Sequence, residues 1–107
     1  MADLNPQLPL PGTPFHATGP VTCLAMPYGD AKPQPCEGFV TRRGRDGTAT
    51  VEVRSQGITR RILFVKGKPV ASDSSQPMTA SRKGDVTVVK FESGEFYEIV
   101  DAMIFGG

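Results

Sequence analysis

Glycine punctuates this chain at intervals that leave room for little except short strands. Gly47, Gly57, Gly67, Gly84 and Gly94 all fall in turn-forming contexts. A spacing of about ten residues is that of hairpin-connected strands in a sandwich or small barrel. The segments between them do not resemble one another, so this is punctuation and not a repeat. The cleanest segment is Thr48 to Arg54. There Ala49, Val51 and Val53 share one face, and Thr48, Thr50, Glu52 and Arg54 share the other.

Further strands are expected around Phe15–Leu24 with a break near Gly19-Pro20, at Gly38–Arg42, at Ile58–Val65, and at Val70–Ser72. Near its end the Ile58–Val65 strand reads as covered on both faces. Met78–Arg82 should pair with Val86–Phe91, which the Ser93-Gly94-Glu95 turn joins to Phe96–Val100. In that last hairpin Val89 and Phe91 should share a side with Tyr97 and Ile99. Residues 101 to 105 fit one helical turn or a last strand. No window of eleven residues carries a helical stripe. The expected fold is all-β, an antiparallel meander of seven or eight short strands closed as a small barrel or sandwich.

Composition agrees. The chain has 107 residues, 12 Gly, 10 Pro and no Trp, and 38% of it is hydrophobic. That is one domain with one small core. No apolar run approaches the roughly 20 residues of a membrane-spanning helix. Residues 1–14 hold Pro6, Pro9, Pro11 and Pro14 without periodicity, and read as an extended tether ahead of a single β domain over 15–107.

Cys23 and Cys36 are separated by 12 residues that include three prolines and a glycine. Such a spacer cannot be a helix, but it can be a loop whose ends meet in a disulfide. Closing it would stabilise the fold by about 3 kcal/mol. A small loop-rich disulfide domain is at home in an oxidising compartment. Met1-Ala2-Asp3 does not open a basic segment followed by an apolar core. The expectation is therefore a mature exported chain, periplasmic or secreted, whose leader has been removed.

Chemistry-bearing residues are sparse. The single histidine, His16, borders the tether, where an imidazole is poorly placed for base catalysis. Ser72, Ser74 and Ser75 lie in a polar loop without a nucleophile elbow. Glu92, Glu95 and Glu98 could approach one another around the last hairpin, but a chain this short lacks cleft-forming insertions. No Cys-x-x-Cys spacing or phosphate-binding glycine loop is present. The expectation is a protein that is not an enzyme, with no metal or cofactor.

Charge is uneven. Residues 42–68 carry eight basic side chains, among them Arg42, Arg43, Arg60 and Arg61, against Asp46 and Glu52, a local +6. Residues 69–107 carry a local −3. Packed together, the two halves partly neutralise each other. Exposed, the four arginines would form a basic face for an anionic glycan or lipid headgroup. Nucleic acid is not expected, because Phe39 and Phe64, the aromatics near these arginines, read as core.

Two resemblances add to this. Arg82-Lys83-Gly84-Asp85-Val86-Thr87-Val88, then Gly94-Glu95-Phe96-Tyr97-Glu98-Ile99-Val100-Asp101-Ala102, with Gly67-Lys68-Pro69-Val70-Ala71 upstream, resembles a group of small uncharacterised exported β-proteins of Gram-negative bacteria. Val100 stands where that pattern has proline. The resemblance spans roughly residues 15–107 and implies export and β structure. Ser93-Gly94-Glu95-Phe96-Tyr97 is also similar to the Ser-Gly-x-x-Tyr motif of periplasmic lysozyme inhibitors. There it implies that Ser93 and Gly94 form a loop entering the lysozyme cleft and that Tyr97 supports it. The expected partner is accordingly a protein or an anionic envelope component.

Overall fold

The fold was established from a computed structural model, which describes residues 15–29, 31–43 and 47–106. The tether at 1–14 and most of the Gly44–Gly47 turn lie outside the described residues.

Eight antiparallel strands form one nearly closed, barrel-like sheet. They are β1 Ala17–Leu24, β2 Gln34–Arg43, β3 Thr48–Ser55, β4 Ile58–Val65, β5 Lys68–Ser72, β6 Met78–Lys83, β7 Val86–Phe91 and β8 Phe96–Val100, followed by a short helix, α1, at Asp101–Phe105. The sheet order is β5-β4-β3-β2-β1-β8-β7-β6. Every ladder except one joins neighbours in sequence. The exception is β1 with β8, registered Thr22 with Glu98 through Leu24 with Phe96. The sheet's two terminal strands, β5 and β6, come close without a ladder and leave a seam.

The all-β expectation and the number of strands hold, as does the shared side of Val89, Phe91, Tyr97 and Ile99, all of them buried. Three local expectations are corrected. β1 is not broken at Gly19-Pro20. Proline is tolerated there because β8 pairs with β1 only from Thr22 onward, so Pro20 lies where one side of the strand has no ladder. β2 begins at Gln34, four residues before the expected start, and runs through Pro35 and Cys36. Phe39 is half-buried on the outer face, because Gly38 and Val40 on either side of it point inward.

Inward positions build one core. Val40, Val51 and Ile62 form a row across β2, β3 and β4, and Cys23, Tyr97 and Val89 form another across β1, β8 and β7. All six are essentially inaccessible. Burying each aliphatic side chain contributes about 1.5–3 kcal/mol. The two-residue turns Gln56-Gly57 and Lys66-Gly67 have positive φ at both central residues. That backbone twist matches the twist of the flanking strands.

The barrel has two unlike ends. At the helix end lie α1 and the β4–β5 and β6–β7 turns. Met103 and Ile104 of α1 are buried in the core cluster. Gly38 makes the space for Met103. A Cβ at that position would stand 3.0 Å from Met103 Cε and 2.6 Å from Val21 Cγ2. At the loop end lie the β1–β2 loop, the β7–β8 loop and the Asp73–Pro77 connection.

Candidate functional site

The disulfide lies toward the loop end. Cys23 and Cys36 are bonded, with Cα atoms 6.0 Å apart and both side chains buried. The register pairs Cys36 with Val21 and Cys23 with Gln34. The two cysteines are therefore inward-facing diagonal neighbours across β1 and β2, and the bond closes the proline-rich loop.

The β7–β8 loop, Glu92–Glu95, is held from several directions. Phe91 N–H donates to Glu95 O at 2.8 Å, and Gly94 N–H donates to Phe91 O at 2.9 Å. Glu92 N–H donates to Pro77 O at 3.2 Å, tying the loop to the β5–β6 connection. Gly94 has φ +102°, and a Cβ on it would lie 3.3 Å from Pro27 of the β1–β2 loop. Ser93 is exposed at the tip.

Beneath this tip is a buried ionic cluster. Glu95 is 5% exposed. It accepts from Arg60 Nε at 2.7 Å and Nη2 at 3.0 Å, and from the Tyr97 hydroxyl. Arg60 reaches it because β4 alternates. Ile62 and Phe64 point into the barrel, and Arg60 shares their side two residues earlier. Arg60 Nη1 also donates to Asp73 Oδ1 at 2.8 Å, and its guanidinium lies 5.4 Å from the Phe91 ring centroid. The Glu95 hydrogen bond holds Arg60 more firmly protonated than a free arginine. Burial, then the neighbouring Glu95 carboxylate, pushes the Tyr97 phenol above its ordinary range. Burial alone would raise Asp73, but the hydrogen bonds from Arg60 and the Arg61 N–H outweigh it and hold the carboxyl low.

The four arginines that would make a basic face if exposed together are divided between two faces. Arg42 points inward, and its guanidinium donates to the carbonyls of Met103 (2.8 Å from Nη2) and Ile104 (3.1 Å from Nε). Burial lowers its pKa. Arg60 points inward as described. Arg43 is exposed, and Arg61 is exposed with ion pairs to Glu52 at 3.2 Å and Asp73 at 3.7 Å. The pairs Arg60–Asp73, Arg60–Glu95 and Arg61–Asp73 join the basic stretch to the acidic one. Here the neutralising packing holds.

Glu92, Glu95 and Glu98 do not converge either. Glu92 is exposed, Glu95 is inside, and Glu98 faces outward, 3.3 Å from Lys83 Nζ. His16 has a structural place, where its Nδ1 accepts from Arg42 N–H at 3.0 Å. Among the described residues no group of three or more His, Cys, Asp or Glu could hold a metal ion. On the outer face the Arg54 guanidinium lies 4.2 Å from the Phe39 ring centroid, and Phe15 packs on Phe39 at 4.9 Å.

Sequence reasoning missed the Arg60–Glu95–Tyr97 cluster, yet a signal was present. Adjacent residues in a strand face opposite sides, so neither Arg42-Arg43 nor Arg60-Arg61 can put both charges on one face. Each doublet sends one arginine inside, where it must meet a carboxylate or free carbonyls.

The sequence matches no protein-family model, no curated protein and no solved structure.

Proposed function

We propose that the protein is a small non-enzymatic binding module of an oxidising, extracytoplasmic compartment, periplasmic or secreted, and that it meets its partner with its outer surface. The observation that carries this is the state of the interior. Its inward polar groups have partners: Arg42 the helix carbonyls, Arg60 and Tyr97 the Glu95 carboxylate, and buried Thr87 the guanidinium of exposed Arg82. Aliphatic and aromatic side chains fill the rest. A barrel packed in this way offers its outside to a ligand. The buried disulfide supports the compartment.

An NMR titration with candidate partners is the test. Resonance changes confined to outward positions support the reading. Changes centred on Thr87, Val89 or Ile99 would reveal a ligand chamber inside the barrel and overturn it.

A second reading, inhibition of lysozyme, draws support from the β7–β8 loop. An exposed serine stands there on a base made rigid by Glu95, Arg60 and Tyr97. Such a base lowers the ordering cost of presenting the loop to a partner. Lysozymes of the three animal types, assayed with excess protein, test it. Under this reading Ser93→Ala abolishes inhibition and leaves stability within about 0.5 kcal/mol of the parent, as for an ordinary surface change. Absence of inhibition of all three lysozymes removes it.

A further inference from the structure

The outer face of β6, β7 and β8 carries a hollow of about 630 Å³ that extends from Lys83 to Gly94 at the edge of the Ser93 loop. Its floor is Val88. This residue points away from the core cluster, between inward Thr87 and Val89, yet it is only 8% exposed. The central row of the hollow reads Ser81, Val88, Glu98 across the three strands. Toward the loop end the next outward row reads Thr79, Lys90, Phe96. Toward the helix end the corresponding row begins with Lys83, opposite Val86.

Two lysines therefore stem from the two ends of the hollow, with hydrogen-bonding groups between them, and the Lys83 ammonium leans onto Glu98 of the central row. Lys83 and Lys90 occupy positions about 13 Å apart along the strand direction, at the usual rise per strand residue. Lys90 is exposed and has no ion-pair partner among the described residues. Lys83 donates to Glu98 Oε2 at 3.3 Å, and its side chain is 71% exposed. Glu98 and Ser81 flank the floor, and the Phe96 ring lies beside Lys90, half-buried.

We propose that this hollow binds a linear acidic glycan, one whose carboxylates or sulfates are spaced by neutral, hydroxyl-bearing units. Lys83 and Lys90 take successive anionic groups. Glu98 accepts hydrogen bonds from the hydroxyls between them, and Ser81 can donate or accept. The Phe96 ring gives an apolar surface for one sugar face. Glu98 sets the class of ligand. A carboxylate in the middle of a cationic hollow repels a closely charged phosphodiester and has no proton to donate to it, whereas a sugar brings hydroxyl donors to that place. An anionic membrane is disfavoured by the floor, because Val88 is sunk below its neighbours and does not project into a lipid phase. The inference rests on the reading of the protein as a surface-binding module, and the two fail separately.

The test is an NMR titration of the whole protein at low ionic strength with three hexasaccharides, one sulfated on alternate sugars (keratan sulfate-derived), one carboxylated on alternate sugars (hyaluronan-derived) and one neutral. Phosphatidylglycerol vesicles and single-stranded DNA form two further arms. Expected are shifts at Ser81, Val88, Lys90 and Phe96 with one or both acidic glycans and none with the neutral one. The arm that responds more strongly names the anion. Lys83→Ala with Lys90→Ala weakens binding about tenfold, and Lys90→Arg retains it. Glu98→Gln is the deciding variant. It weakens glycan binding about threefold, although removing a negative charge from a merely electrostatic site tightens it. These residues lie on the surface, so thermal melts should match the parent.

Tighter binding by Glu98→Gln overturns the proposal, as does an unchanged affinity in the double lysine variant. Stronger binding to the vesicles or DNA than to either glycan overturns it too. Glycan shifts confined to other outward faces overturn this site and leave the surface-module reading standing. Shifts inside the barrel overturn both.

Discussion

The two ends of the barrel meet the same need with opposite chemistry. Each end of the barrel must be closed, and backbone loops alone fill such a space poorly, because their own polar groups need partners. At the helix end Met103 and Ile104 of the five-residue α1 fill the opening, and Arg42 takes the carbonyls left free at the end of the helix. At the loop end Glu95 is turned inward and Arg60, Tyr97 and Asp73 are gathered around it. The first closure is a matter of volume and tolerates adjustment. The second is a set of partners of which none can be dropped. A buried ion pair adds little over a well-packed apolar substitute, yet losing one partner is costly.

Substitutions at the two ends put this contrast on a scale. The largest effect should follow Glu95→Ala, which leaves the Arg60 guanidinium inside without its main carboxylate. A loss of about 4 kcal/mol in chemical denaturation is expected. Replacing Arg60 and Glu95 together by Met and Leu in a Tyr97→Phe background, so that no buried hydroxyl loses its acceptor, should recover most of it, and a double-mutant cycle measures how much. If the pair replacement is as damaging as Glu95→Ala, the loop end depends on its charges for more than mutual partnership. Met103→Ala at the helix end should cost less, about 2.5 kcal/mol, with no partner left unpaired to enlarge the loss. A cost above that of Glu95→Ala would reverse the comparison.

A smaller effect separates the ends by pH. The phenol of Tyr97 has its pKa raised in the folded state by burial and by Glu95. Its contribution is complete below about pH 10, where an unfolded tyrosine still holds its proton, and is lost progressively as the pH rises toward the folded value. Stability should therefore fall above about pH 10. Tyr97→Phe should flatten that alkaline limb, whereas Met103→Ala should lower the whole curve without changing its slope. An unchanged limb in Tyr97→Phe would move the titration to another group.

Much of the sheet is legible from alternation alone. Ala49, Val51 and Val53 face inward as their spacing requires, and Val89 lies opposite Tyr97 with both buried. The glycine turns at 57 and 67 fall where the sequence places them. Closure of the ends was not legible, because it depends on residues far apart in the chain. Arg60 and Glu95 are 35 residues apart, and no local pattern links them. Phe39 shows the converse limit. Its type suggests core, but its parity beside inward Val40 puts it outside, where Arg54 and Phe15 cover the ring. Parity should outrank residue type whenever the phase of a strand is fixed by its neighbours.

The β1–β8 ladder has a kinetic consequence. Every other pairing joins strands consecutive in the chain, so each can form across a short connection. This one spans only Thr22–Leu24 against Phe96–Glu98, and it waits for nearly the whole chain to be gathered. Closing so long a loop carries the greatest entropic cost in the molecule. The barrel should thus assemble as two meanders, β1–β5 and β6–β8, that dock late through three residues of β1. Truncations at Thr22 and Leu24 would then speed unfolding and leave the folding rate nearly unchanged. A slowed folding rate would place the docking early.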